Sequence, residues 1–245
     1  MKGAAPMDLG LSGKVALVTA SSKGLGRASA EALAGEGAAV AICARNPEAL
    51  GEAEAAMRGR DAEVLAIPCD VTEEGVPAQL VEATVRRFGR LDIVVANAGG
   101  PPPMHALDVD DDSLRKAVGA NLLTSVSLVR SALPHLRERG WGRICCIASY
   151  SVVQPIPQLA LSNAARTGLW AWAKTAAYDL RGSGITLNLA CPGRHATERQ
   201  VALGGATGGG DPADFGRVVA FLCSAPASFV NGAALVVDGG DTLAL

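Results

Sequence analysis

Short apolar runs recur along the chain at Val15–Thr19, Ala38–Cys43, Val64–Pro68, Ile93–Ala96, Ile144–Ala148, Ile185–Ala190 and Ala234–Val237. Their length, and the near absence of polar residues inside them, predict strands buried on both faces. Helix-period segments lie between, the longest at Thr72–Phe88, Asp110–Arg139 and Leu159–Arg181. Strict alternation of this kind implies parallel strands joined by crossover helices. The expected fold class is α/β: one doubly wound parallel sheet of about seven strands with helices on both faces. With 245 residues, 49% of them hydrophobic, and no linker-like stretch, the chain reads as a single domain over 1–245, residues 1–13 forming an N-terminal extension.

In such sheets ligands bind beyond the carboxyl ends of the strands. The first strand runs into Thr19-Ala20-Ser21-Ser22-Lys23-Gly24-Leu25-Gly26 and then an amphipathic stretch. Glycine there lets backbone N–H groups and a helix N-terminus approach a pyrophosphate, so the turn reads as a dinucleotide cradle. The second strand ends at Ala44-Arg45-Asn46, where an acidic residue would accept a ribose 2′-hydroxyl. Arg45 instead offers a fork of donors to a 2′-phosphate, and Lys23 adds a second cation, which favours NADP over NAD. Cys69-Asp70-Val71, Asn97-Ala98-Gly99-Gly100, Ser149-Tyr150-Ser151 and Cys191-Pro192-Gly193 end the next four strands and should converge on one crevice.

A formal net charge of −2 without a basic block leaves no electrostatic footprint for nucleic acid or an anionic membrane. No signal-peptide core or membrane-length apolar run is present, so a cytoplasmic location is expected. The six cysteines show no C-x-x-C spacing and lie mostly in or beside predicted strands, which suits buried thiols and no metal. Cys145 and Cys146, adjacent on one strand, should face opposite ways.

Taken in order, these residues resemble the short-chain dehydrogenase/reductase family from Lys14 to Gly240. The resemblance implies a Rossmann-type domain. Thr19 to Gly26 is similar to the family's Thr-Gly-x3-Gly-x-Gly turn, with Ala20 in place of the first glycine. By the same resemblance Asp70, followed by Val71, matches the residue that contacts adenine, and Asn97-Ala98-Gly99 the motif that steadies the sheet and lines the cofactor site. Asn121 matches the helix asparagine of the catalytic tetrad and Ser149 its serine. Pro192-Gly193-x3-Thr197 matches the segment beside nicotinamide, and Val237–Gly240 the end of the last strand. The similarity is greatest to reductases of the β-ketoacyl carrier-protein type. It implies NADPH-dependent reduction of a 3-oxoacyl-type ketone, a small-molecule or carrier-bound substrate, and a homotetramer or homodimer.

The family's Tyr-x3-Lys pair, due 13 residues after the serine, falls on Ser162 and Arg166. A phenol starts near a pKa of about 10 and can be tuned downwards, whereas an aliphatic hydroxyl starts far higher. Ser162 is therefore a hydrogen-bond donor and no general acid. Arg166 keeps the charge and could hold ribose hydroxyls, yet it cannot relay protons. Tyr150, His105 and His195 are substitute acids to weigh against plain packing or solvated roles, and His135 falls mid-helix on the surface. Residues 198–211, rich in glycine, are shorter than the helical lid usual in the family, which predicts an open crevice. Three readings stay open: an atypical reductase, a cofactor-binding or scaffold homologue without turnover, and a non-redox catalyst on the same fold.

Overall fold

The computed structural model describes residues 7–59, 62–204 and 208–244. Seven parallel strands form one sheet: β1 (Val15–Val18), β2 (Ala39–Ala44), β3 (Val64–Pro68), β4 (Ile93–Ala96), β5 (Gly142–Ile147), β6 (Ile185–Pro192) and β7 (Ala234–Val237), in the order β3-β2-β1-β4-β5-β6-β7. The order reverses between β1 and β4, which opens a crevice at their carboxyl ends. All seven expected runs are strands, with boundaries shifted by one or two residues.

Side chains alternate between the faces, so two cores form. Leu17, Val94 and Cys146 face one side, where α3 (Val76–Phe88), α5 (Thr124–Arg139) and α6 (Ala160–Asp179) contribute Leu80, Leu128 and Leu169. Ala16, Val95 and Cys145 face the other, covered by α1 (Gly24–Gly35), α2 (Pro47–Arg58) and α8 (Pro212–Leu222) through Leu33, Leu50 and Phe215. Cys145 and Cys146 thus part as the period of two requires. All six thiols are free, and Cys69 is the half-buried one. On the second face α1 and α8 touch backbone to side: a Cβ on Gly216 would stand 2.3 Å from the Ala28 carbonyl.

Two predicted helices differ from expectation. α3 begins at Val76, not Thr72, because Gly75 sits at φ +80° and Asp70 Oδ1 accepts from the Thr72 N–H and hydroxyl at 2.9 and 2.7 Å. Those local bonds compete with a helical start. The stretch Asp110–Arg139 is not one α-helix: α4 (Asp111–Val118) passes into a π-helical turn at Gly119–Leu123 before α5. Such turns insert one extra residue and swing the side chains that follow. Among the described residues no helix is long and apolar enough to cross a membrane.

Candidate active site

A crevice of about 790 Å³ lies over the carboxyl ends of the strands, lined by Lys23, Gly24 and Leu25 of the first turn, Asn97–Gly100 after β4, Ser149, Ser162, Arg166, and Pro192, Gly193 and Thr197 after β6. The structure therefore gathers residues separated by more than 150 positions. A second hollow of about 920 Å³ lies beyond Thr197, between α1 and α8, where Arg27 and Glu31 pair at 2.7 Å. It holds none of the predicted catalytic residues.

At one end of the crevice the first turn is built from inside. Thr19 Oγ1 donates to the Asn97 carbonyl (2.7 Å) and accepts from the Asn97 N–H (2.9 Å), which ties β1 to β4. Ser21 Oγ donates to the Val18 carbonyl (2.8 Å) and accepts from the Cys43 N–H (3.2 Å), which ties the turn to β2. Both side chains are buried, so these two predicted cofactor residues brace the turn without lining the crevice. Gly26 has a similar part. A Cβ there would lie 2.4 Å from the Ala20 carbonyl and 2.6 Å from Asn97 Nδ2, so glycine allows the helix to pack on the turn. Ala20 adopts φ +47°, a left-handed conformation that costs an L-residue about 1–2 kcal/mol.

A dinucleotide fits this end on three observations. Lys23 precedes α1 with no side-chain cap, so the first N–H groups of that helix are free to meet a phosphate. Gly24, at φ +55°, leaves its approach unobstructed by side chain. Beyond β2, Arg45 is 79% exposed and stands 3.8 Å from Asp70, whose carboxyl is held below its ordinary range chiefly by Thr72. Ser22 is half-buried in the turn, and Val71, after β3, is buried among core residues.

At the other end lie the positions expected by resemblance to be catalytic. Arg166 is 8% exposed; its Nη1 donates to the carbonyls of Ile147 (2.9 Å) and Ala148 (2.8 Å) and its Nε to Ser162 Oγ (3.2 Å). Three of its donors thus serve the end of β5 and Ser162, and only Nη2 remains for a ligand. Burial, then the charge of Arg199, pushes the Arg166 guanidinium down to about 10, which leaves it protonated at neutral pH. Ser149 Oγ accepts from the Ser151 N–H at 3.1 Å and keeps its hydroxyl proton free. Asn121 sits in the π turn, buried, with Nδ2 on the Ala117 carbonyl (3.3 Å) and Oδ1 without a partner among the described residues. It does not line the crevice.

The substitute acids fare differently from one another. Tyr150 lines the rim, but its hydroxyl is pushed above the ordinary phenol range by burial and by Asp241, so it parts with its proton less readily. His195 is buried, not a solvated loop residue: Nδ1 lies 3.2 Å from the Gly193 carbonyl and the ring meets Phe215 edge-on at 5.3 Å. His105 is exposed outside the crevice, and half-buried His135 faces Glu82 at 3.4 Å.

The segment after Thr197 also departs from expectation. A short helix, α7 (Glu198–Ala202), forms there, capped by Thr197 Oγ1 on the Gln200 N–H at 3.4 Å. Its Arg199 donates to the Pro101 carbonyl and so ties this segment to the loop after β4. Residues 205–207 of the glycine stretch lie outside the described residues. Arg199 escaped the sequence reading because nothing in its local pattern signals a partner 98 positions away.

A family model described as enoyl-(acyl carrier protein) reductase matches residues 19–242. The chain belongs to the short-chain dehydrogenase/reductase family. It is 31% identical over 244 residues to the bovine (Bos taurus) dehydrogenase/reductase SDR family member 4, covering 94% of this chain and 88% of that one. L-sorbose reductase from Gluconobacter frateurii, solved with NADPH and L-sorbose, superposes with a TM-score of 0.89 at 31% identity, covering 97% of this chain and 100% of that one. A 3-oxoacyl (acyl-carrier-protein) reductase from Agrobacterium tumefaciens C58, solved with NADP bound, gives 0.88 at 27% identity, covering 95% and 96%. The chain is an NAD(P)-dependent oxidoreductase of this family by resemblance.

Proposed function

We propose that the protein is an NADPH-dependent reductase of ketones of the 3-oxoacyl type, working without the family's tyrosine acid. The observation that carries this reading is the pair of free hydroxyls at the catalytic end: Ser149 and Ser162 both line the crevice, and each accepts a hydrogen bond from its neighbour while keeping its own proton to donate. Two such donors can polarise a ketone oxygen and stabilise the charge that develops on it. NADPH, when bound, supplies the hydride.

The residues divide the remaining work. The free N–H groups of α1 meet the pyrophosphate, Lys23 and Arg45 the 2′-phosphate, and Asp70 the adenine side. Asn97 and Thr197 flank the nicotinamide end. Arg166 keeps a fixed positive charge beside the reacting oxygen and holds Ser162 in place through Nε. No side chain here replaces phenol as a tunable acid, so protonation of the alkoxide falls to water in the crevice, at a rate penalty of about 10²–10⁴. The exposed Phe229 and partly exposed Leu235 favour the dimeric or tetrameric assembly that the resemblance implies.

The test is binding followed by chemistry. Calorimetry should show NADPH binding more tightly than NADH, and a single-turnover mixture with a 3-oxoacyl thioester should show slow oxidation of bound NADPH. Binding without any transfer would overturn the reductase reading in favour of a cofactor-binding scaffold.

A further inference from the structure

The crevice is more positive than the chain around it. Its charged lining residues are Lys23, Arg166, Arg194, Arg199 and Glu198, although the whole chain carries −2. Arg194 is neutralised by a two-point pair with Asp241 at 2.9 and 3.1 Å, and Lys23 belongs to the turn at the coenzyme end. Arg166 and Arg199 enter no ion pair among the described residues. Both line the same crevice as Ser149 and Ser162, Arg166 from α6 and Arg199 from α7, where it reaches the loop after β4.

A buried guanidinium without a carboxylate is costly, because carbonyl partners replace only part of its hydration. The cost is raised by a second cation, because the charge of Arg199 makes the protonated form of Arg166 harder to hold. Arg143 offers a comparison within the same molecule. It too is buried and bonded to carbonyls, those of Ser224, Gly142 and Gly184, but it stacks on Trp141 at 4.4 Å and lines neither hollow. Its place explains it as a strut. Arg166 differs, since it opens on the crevice with Nη2 unspent, and Arg199 reaches the same space with only one bond, to the Pro101 carbonyl. Two like charges lining one cavity, both with donors to spare, are what an anion would stabilise.

We propose that Arg166 and Arg199 form a subsite for a carboxylate carried by the substrate, so that among 3-oxo compounds the protein takes the free acid in preference to its ester or thioester. The ketone oxygen of that molecule meets the hydroxyls of Ser149 and Ser162, and the carboxylate lies between the two guanidinium groups. The ketone half of this assignment rests on the reductase reading; the carboxylate half rests on the two arginines alone. Ser162 joins the two halves, because the group that takes a bond from Arg166 Nε also donates to the ketone.

Titration of acetoacetate and of its neutral methyl ester into the NADP⁺-loaded protein tests the subsite. Acetoacetate should bind roughly tenfold more tightly than the ester, a difference of about 1.4 kcal/mol. Arg199→Gln should remove most of that preference while leaving NADP⁺ affinity as it was. Arg166→Lys, which keeps the charge in case Arg166→Gln does not fold, should retain a weaker preference for the acid. Equal affinity for acid and ester, or no saturable binding of either, overturns the proposal. Loss of NADP⁺ binding in Arg199→Gln also overturns it, since the pair would then serve coenzyme phosphates. If wild-type protein takes no NADP⁺, the coenzyme reading fails by itself, and the same acid-against-ester comparison on the unloaded protein still decides the subsite.

Discussion

The two ends of the crevice solve different problems with the same sheet. At the end formed by β1, β2 and β4, side chains bond inward: Thr19 and Ser21 lock the turn to its neighbours, and Gly26 lets α1 lie against Ala20 and Asn97. The surface left for a ligand is the free backbone N–H groups at the start of α1, with the Lys23 and Arg45 side chains beside them. At the end formed by β5 and β6, the surface facing the crevice is side chain, and Ser162 and Arg166 shape it. Arg166 turns to the Ile147 and Ala148 carbonyls, and Ser162 is short and bonded to Arg166. One end thus rests on internal packing of the turn, and the other on side chains that bond one another and the sheet.

Restoring the family pair attacks the contrast most directly. Ser162→Tyr with Arg166→Lys should raise the single-turnover reduction rate by about 10²–10⁴-fold, the usual worth of a positioned acid. An unchanged rate in a folded, NADPH-binding variant would shift the defect to another part of the site. Next in size, Arg45→Asp should weaken NADPH binding by about 1.5–3 kcal/mol, the value of a hydrogen bond to a charged group, and lift NADH relative to it. Calorimetry that finds both affinities unmoved would remove Arg45 from the 2′-phosphate. At the packed turn, Gly26→Ala forces a Cβ into the Ala20 carbonyl and should cost about 1–3 kcal/mol of stability in urea unfolding. Wild-type stability in this variant would mean that the turn is softer than its bonds imply.

The smallest effect concerns Ala20. Relief of its left-handed backbone is worth about 1–2 kcal/mol, offset by about 0.4–1 kcal/mol from the looser unfolded chain that glycine brings. Ala20→Gly should therefore stabilise slightly, with coenzyme affinity equal or better. A clear loss of melting temperature would show that Ala20 packs more than it strains.

Much of the fold was legible along the chain because a parallel sheet needs strands that are apolar on both faces, and those runs stand out whatever surrounds them. The α3 start and the break at Gly119–Leu123 were not, because the first depends on an Asp70 turn and the second on one extra residue in a helix of unbroken period. For the site, residue type alone showed that Ser162 could not do a tyrosine's work. That follows from the chemistry of an aliphatic hydroxyl and needs no coordinates.

By itself the sequence determined the succession of apolar strand runs, the glycine turn and the arginine at the end of β2, all of which are properties of single residues or short spacings. Only the tertiary structure decided where each charge is spent. Whether Arg166 points to coenzyme, carbonyl or substrate depends on which backbone oxygens lie within its reach, and that the Ile147 and Ala148 carbonyls do is a consequence of α6 packing on β6 and on the turn at Tyr150–Val152 that follows β5. Arg199 faces the same crevice because α7 folds back over it, joining residues that sequence distance keeps apart. Hydrogen bonds and Coulomb forces act through space over a few ångströms, so partners far apart in the chain become visible once it is folded.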